Sequence, residues 1–341
     1  MLLKRLTEAM GPSGFEEEIR QVIYEEIRDH VDRVYTDALG NLIAEKDGTR
    51  PGPKVMLCAH MDEVSLMITH IEPNGLLQFA HIGGIDNKIL NSQPVLIGDS
   101  KIPGVIGSKP IHHQSPEERR QPVGLNSLRI DIGASSREEA MTLVEPGDVA
   151  IFATQYEEIG ERKAKSKSFD DRIGCAVMVE TLKKNFDVPT VYVFAVQEEI
   201  GLRGAGPAAF RVQPDISLVL EGTLAADFPG SPGHGKATIQ GNGPALSVVD
   251  SSSIHNRKFL DHMVQVAEAN NLPYQYRKTV AGGNDAGRIH ISRAGVLSGV
   301  ISVPTRYIHA PAQLISLDDY ENTIALVEQF LRSVEQGGLG Q

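Results

Sequence analysis

The sequence predicts an α/β protein: a mostly parallel sheet with helices on both faces, interrupted by a small β-rich insertion. Three observations predict it. Short apolar runs at 54–59, 190–196, 216–220 and 294–301 alternate with segments of helical periodicity, the pattern of strands buried on both faces and joined by crossover helices. Between residues 65 and 165 the texture changes to short alternating runs separated by Gly, Pro, Asn and Asp, which reads as a small barrel or sandwich. Three of the apolar runs stop at residues able to bind metals or move protons: His60, Glu198-Glu199 and Glu221.

Residues 2–10 and 15–30 read as helices, separated by Gly11-Pro12-Ser13-Gly14, with Ser13 placed to cap the second. Residues 34–45 predict a strand pair turning at Leu39-Gly40-Asn41, and 54–59 a buried strand that stops at His60. In the insertion, strands are expected at 66–72, 76–82, 93–98, 103–106, 127–132 and 148–153. One helix runs from Ser135 to Val144, and a polar, mobile loop from Ser108 to Pro122. Then come a helix at 171–184, strands at 190–196 and 216–220, a helix at 256–270 and a strand at 294–301. A last amphipathic helix spans Asp318 to Glu335. The expected organisation is one α/β domain, residues 1–64 and 166–341, interrupted by a β-rich domain at 65–165.

Composition narrows the function. A chain of 341 residues buries a sizeable core without staples. Its net charge of -11 argues against a nucleic-acid partner, which needs a basic surface. No apolar run approaches the ~18 residues of a membrane helix. The stretch Met1 to Met10 lacks the continuous apolar core of a signal peptide, so a cytoplasmic setting is expected. The two cysteines, Cys58 and Cys175, are too few for a disulfide framework or a thiolate zinc site and read as buried, reduced thiols.

The chemistry gathers at strand ends. In open α/β sheets, sites form outside the carboxyl ends of the strands. That edge collects His60 with Asp62, Glu198 with Glu199, and Glu221, while His309 follows the last apolar strand after a short loop. Asp170-Asp171-Arg172 opens the helix just after the insertion and reaches the same edge. Each alone has an ordinary explanation: a core histidine, a solvated turn or a helix cap. Together, two His and three or more carboxylates without Cys suit Zn²⁺, Co²⁺ or Mn²⁺. Five ligands, one bridging, would hold two metals about 3.5–4 Å apart and activate a water. A further carboxylate is then needed to move its proton, and the adjacent Glu198-Glu199 pair fits one base and one ligand. Asp62 is the carboxylate that a metal-bound His60 would lean on. His112 and His113 read as surface-loop residues, and His81, His234, His255 and His290 show no partner pattern. Arg288, Arg257 and Lys258 are candidate contacts for an acidic substrate side chain.

At this point the ordered motifs resemble a known family. They are Pro12-Ser13-Gly14-Phe15-Glu16, Ala59-His60-Met61-Asp62-Glu63-Val64, Phe169-Asp170-Asp171-Arg172-Ile173-Gly174 and Gln197-Glu198-Glu199-Ile200-Gly201. Leu220-Glu221-Gly222-Thr223, Gly282-Gly283-Asn284-Asp285-Ala286 and Arg306-Tyr307-Ile308-His309 complete the set. Over nearly its whole length the chain resembles the tetrahedral dinuclear metallo-aminopeptidases, also named glutamyl or deblocking aminopeptidases or endoglucanase M. The resemblance implies a phosphorylase/hydrolase-like α/β domain with a PDZ-like barrel used for dimerisation. It implies two divalent ions per chain, one on His60 and Glu221, the other on Glu199 and His309, with Asp170 bridging. Glu198 would be the general base, and Asp62 would orient His60. It further implies short peptides as substrates and dimers assembling into a tetrahedral dodecamer. The sequence departs from the family in two places: Glu221 stands where Asp is frequent, and Asn284 where the family commonly has Thr.

The function expected is therefore removal of N-terminal residues from short peptides, through a metal-bridged hydroxide and a Glu base. A glycoside hydrolase and a catalytically inactive metal-binding assembly protein are the alternatives. The first has little to stand on in a chain without Trp.

Overall fold

In a computed structural model that describes residues 1–121, 123–228, 230–231 and 235–339, helices α1 (Leu2–Glu8) and α2 (Glu17–Ile27) precede strands β1 (Arg33–Thr36), β2 (Leu42–Lys46) and β3 (Val55–His60). There follow β4 (Ser65–Ile71), β5 (Leu77–Ile82), β6 (Pro94–Ile97), β7 (Ile102–Gly107), β8 (Arg129–Asp131), the short helix α3 (Arg137–Ala140) and β9 (Val149–Phe152). The chain continues with β10 (Glu157–Ile159), β11 (Lys163–Ser166), α4 (Phe169–Leu182), β12 (Thr190–Ala195), α5 (Ala205–Val212) and β13 (Ile216–Leu224). It ends with β14 (Ala245–Leu246), α6 (Arg257–Ala269), β15 (Gln275–Tyr276), α7 (Ala286–Ile289), β16 (Leu297–Arg306), β17 (Gln313–Ser316) and α8 (Leu317–Glu335).

The large sheet runs β1-β2-β12-β3-β13-β16-β17-β11-β10, with β14 and β15 attached beside β16. Its centre, β12-β3-β13-β16, is parallel. Both flanks are antiparallel; for the pairs β1/β2, β10/β11 and β16/β17 the short connection rules out a parallel crossover. All six residues of β3 are buried, for the reason its sequence suggests. Val55, Leu57 and Ala59 pack with Leu6, Ile19, Ile23, Val177 and Phe330 on one face of the sheet. Met56 and Cys58 pack with Ala205, Ala208, Ala286 and Ile289 on the other.

Strands β4 to β9 close into a barrel in the order β4-β5-β8-β7-β6-β9. Its own core includes Leu66, Ile68, Leu77, Ile97 and Ile130. The last barrel strand stops at Phe152, whereas β10, inside the 65–165 range, and β11, which straddles its end, pair into the large sheet through β17.

Several local expectations change. Ser13 caps nothing: α2 starts at Glu17 without a side-chain cap, and the Ser13 hydroxyl donates to Asp62 Oδ2 at 2.6 Å. The helix expected over Ser135 to Val144 shortens to α3, capped by Ser136, whose Oγ accepts from the Glu139 N–H. The polar loop from Ser108 carries short 3₁₀ turns at Ile111–His113 and Glu118–Arg120, and its end, Pro122, lies outside the described residues. Among the described residues, no helix is long and apolar enough to cross a membrane.

Candidate metal centre

Strand register brings the predicted residues to one edge. Ala195 of β12 pairs with His60 of β3, so the Gln197-Glu198-Glu199 turn begins just beyond His60. On the other side Val219 of β13 pairs with Cys58, which sets Glu221 level with His60. Asp170 arrives from the first turn of α4, where the Asp170–Asp171 peptide is cis and both residues are non-helical. His309 sits in the turn between β16 and β17 at φ 59°.

The side chains converge around Asp170. His60 Nε2 lies 3.4 Å from Asp170 Oδ1 and 3.8 Å from both Glu198 Oε2 and Glu221 Oε2. His309 Nε2 lies 3.2 Å from Asp170 Oδ2 and 3.3 Å from Glu199 Oε2. Each imidazole is held from behind. His60 Nδ1 lies 3.1 Å from the Asp62 carbonyl and 3.4 Å from its carboxylate. His309 Nδ1 donates to the Gly84 carbonyl at 2.9 Å. A second partner on the distal ring nitrogen fixes the tautomer and leaves Nε2 to face the carboxylates.

Asp62 does more than face His60. Its Oδ1 accepts the Glu198 N–H at 2.9 Å and its Oδ2 accepts the Glu199 N–H at 3.1 Å. One fully buried carboxylate thus ties the strand end of β3 to the turn after β12. Asp171 has a similar backbone role, accepting the His60 and Gly174 N–H groups at 3.2 and 3.0 Å. It lies close enough to group with His60 and Glu221, but its oxygens already serve the backbone.

Electrostatics mark the site as short of positive charge. Burial pushes the carboxyls of Glu198 and Glu221 well above their ordinary range, and that of Glu199 up to about 7. Burial opposes ionisation of Asp170 too, but the two imidazoles outweigh it and hold that carboxyl low. Burial lowers His309 while the facing carboxylates raise it, for a net rise to about 9. Crowded carboxylates of this kind need cations beside them to ionise together. Two buried oxygens, Glu199 Oε1 and Glu221 Oε1, have no hydrogen-bond partner among the described residues. Orphaned carboxylate oxygens, imidazole nitrogens and the absence of thiolates among the donors fit divalent transition metals. Cys58 and Cys175 are buried and unpaired; Cys175 Sγ points at the His60 carbonyl rather than into the cluster.

The cluster floors a cavity of about 560 Å³. Thr223, Ser251, Ser252, Gly282 and Gly283 form part of its wall. Arg277 is the one Arg or Lys among the described residues that line it. Its Nε donates to Thr223 Oγ1 at 3.0 Å and its Nη1 to the Thr279 carbonyl at 3.1 Å. The sequence reading missed Arg277 and named Arg288, Arg257 and Lys258 instead, none of which lines the cavity. The signal lay in β13: Thr223 is two residues beyond Glu221 and on the same strand face, so whatever Thr223 binds sits beside the candidate ligands. Asn284 and Asp285 stay behind the wall. Asn284 Nδ2 donates to Asp250 Oδ2, and Asp285 lies against Cys58. His112 and His113 are exposed, and His234 lies outside the described residues.

A family model described as M42 glutamyl aminopeptidase matches residues 40–326. The chain is 33% identical to the lysyl aminopeptidase of Pyrococcus furiosus, over 98% of this chain and 97% of that protein. Among solved structures it resembles the TET aminopeptidase from Thaumarchaeota archaeon SCGC AB-539-E09, with TM-score 0.95, 37% identity, and coverage of 98% of this chain and 97% of that one. It also resembles the Pyrococcus horikoshii TET1 peptidase, described as able to form a tetrahedron or a large octahedral shell, with TM-score 0.86, 33% identity, and coverage of 96% and 98%. With the fold, the edge-on cluster and these matches in agreement over nearly its full length, the chain belongs to the M42 family of aminopeptidases.

Proposed function

We propose that the protein is a dinuclear metallo-aminopeptidase that removes N-terminal residues from short peptides. One observation carries the reading: the two oxygens of Asp170 face different imidazoles, His60 on one side and His309 on the other. Asp170 would therefore bridge two ions, with His60 and Glu221 completing one site and Glu199 and His309 the other. Two bound divalent ions, Zn²⁺, Co²⁺ or Mn²⁺, would supply Lewis acidity at the scissile carbonyl and lower the pKa of a shared water.

The chain's own groups do the rest. Glu198 is no ligand in this assignment. Its Oε2 lies 3.8 Å from His60 Nε2 at the edge of the cluster, where it would take a proton from the attacking water and return it to the leaving amine. Asp62 holds that carboxylate in place through the Glu198 N–H. The cavity wall restricts what enters, and its size suits a peptide end.

Self-association into dimers and a tetrahedral dodecamer is part of this proposal, supported by the assembly described for the Pyrococcus horikoshii neighbour. So is a cytoplasmic setting, consistent with two buried, unpaired thiols. The glycosidase reading has little to support it: no Phe, Tyr or Trp stands among the described residues lining the cavity.

The test is metal content by elemental mass spectrometry beside release of p-nitroaniline from an aminoacyl panel, before and after chelation. Near two transition metals per chain with chelator-sensitive release is expected. Metal without release on any substrate would move the protein to the inactive-assembly reading. No metal after reconstitution would overturn the ligand assignment.

A further inference from the structure

The two halves of the proposed metal centre are supported differently. His60 ends a central strand, its side chain is 1% exposed, and its distal nitrogen faces Asp62 inside the α/β core. His309 sits on a turn in the left-handed region, and its side chain is 38% exposed. The hydrogen bond at its Nδ1 does not come from the α/β domain. It goes to the carbonyl of Gly84, two residues past the end of barrel strand β5.

The same barrel segment touches the other ligand of that half. A Cβ at Gly83 would lie 3.3 Å from the Glu199 Cβ and 2.9 Å from Val64 Cγ1, and φ there is +83°. A Cβ at Gly84 would lie 3.4 Å from His309 Nδ1. Neither His60 nor Glu221 is among the nearest atoms that a Cβ at Gly83 or Gly84 would meet. The segment is also held firmly: Ile82, next to Gly83, pairs with Ser65, which follows closely on Asp62 and Glu63 in the chain.

We propose that the Gly83-Gly84 segment is a positioning element for one metal site. The Gly84 carbonyl aims the His309 ring, and Gly83 lets the backbone lie against Glu199. The Glu199–His309 site is thereby conditional on the barrel, while the His60–Glu221 site is built by the α/β domain alone. A histidine whose distal nitrogen is anchored keeps its Nε2 in one direction, and loss of such a partner typically weakens metal affinity about 10–100-fold. Only a residue without Cβ permits both the positive φ at Gly83 and the approach to Glu199. The inference rests on the two-metal reading above.

The experiment is Co²⁺ titration of the metal-free protein, followed by calorimetry and by visible absorption, with no substrate present. The variants are Gly83→Ala and Gly84→Val, whose γ-methyls extend from a Cβ already 3.4 Å from His309 Nδ1, with His309→Ala and His60→Ala as markers of each half. The expected result is two binding steps in the wild type. Each glycine variant weakens by tenfold or more the step that His309→Ala abolishes, and shifts the other by less than about threefold. Equal weakening of both steps, or no change in either variant, overturns the proposal. If one glycine variant fails to fold by circular dichroism, the other decides on the same criteria. Wild-type protein that takes up no Co²⁺ overturns the two-metal reading itself. Two ions bound with unchanged affinity in folded variants overturn only the role of the barrel.

Discussion

Glu63 offers a stringent test of how the centre is held from beneath. It is 2% exposed and lies between Lys167, 3% exposed, and Arg172, fully buried. Both of its oxygens lie 2.7 Å from Lys167 Nζ, while Arg172 Nη2 lies 3.3 Å from Oε1. The Gly11 N–H and the Ser168 hydroxyl also donate to it. Arg172 in turn donates to the carbonyl of Met61, between His60 and Asp62, to that of Leu6 in α1 and to that of Ala9 just past it.

At an effective dielectric near 20, a 2.7 Å ion pair is worth about 6 kcal/mol of Coulomb energy. Desolvating the ions costs several kcal/mol each, so the intact network contributes little net stability. Glu63→Gln is not symmetrical with that balance. It keeps the shape, removes the anion and leaves two buried cations without one, which costs about 3–5 kcal/mol. At about 2.1 cal/mol/K of unfolding entropy per residue, the melting temperature should fall by about 4–7 °C by differential scanning calorimetry. Adding Lys167→Met removes one of the stranded cations and should recover a large part of the loss. A single variant that melts within about 1 °C of wild type would refute the reasoning, as would a double variant less stable than the single.

The pH dependence has a definite sign. Burial raises the Glu63 pKa, but Lys167 and Arg172 outweigh it and hold the folded value below the ordinary one. The stabilisation is therefore complete above the unfolded pKa and lost as pH falls through the folded one. Glu63→Gln should flatten that part of the acid limb.

Glu198→Gln should retain the metal content of the wild type while kcat falls about 10²–10⁴-fold, the usual range for a lost general base; unchanged turnover would remove Glu198 from that role. Arg277→Gln should lower kcat/KM for a glutamyl anilide at least tenfold more than for a glutaminyl one, since a charge-assisted bond to a substrate carboxylate is worth about 1.5–3 kcal/mol. Equal losses on both substrates would make Arg277 a purely structural support of its loop. Asp227 is held below its ordinary pKa, against burial, by the Arg306 fork at 2.6 and 2.9 Å. Asp227→Asn should therefore melt lower than wild type near neutral pH, with the gap closing as pH falls through the folded Asp227 value; a gap constant with pH would assign the effect to packing.

Much of the site was legible in the chain because strand ends are legible. A strand buried on both faces reads as a continuous apolar run, and the first polar residue after it lies at the sheet edge. Residues 54–60 follow that rule, which is how His60 stands out; Glu221 closes the apolar run but lies inside β13, which runs on to Leu224. Ser13 did not stand out, because a serine before a helix looks like a cap, and only the fold shows its hydroxyl on Asp62. Arg277 was missed for a related reason. It lies beyond a two-residue edge strand, with no periodicity to place it.

Alternation of apolar strands with helices and a shift to short alternating runs determined the α/β class and the β-rich insertion. Local spacing suffices for these, since burial on one or both faces writes itself into the order of residues. Tertiary structure alone decided which carboxylate faces both imidazoles. Asp170 and Asp171 are chemically identical neighbours, and the path of the backbone at the start of α4 turns one toward His60 and His309 and the other toward N–H groups. It also decided that the barrel reaches the centre, because a carbonyl such as that of Gly84 is present at every residue and acquires meaning only from what it meets in space.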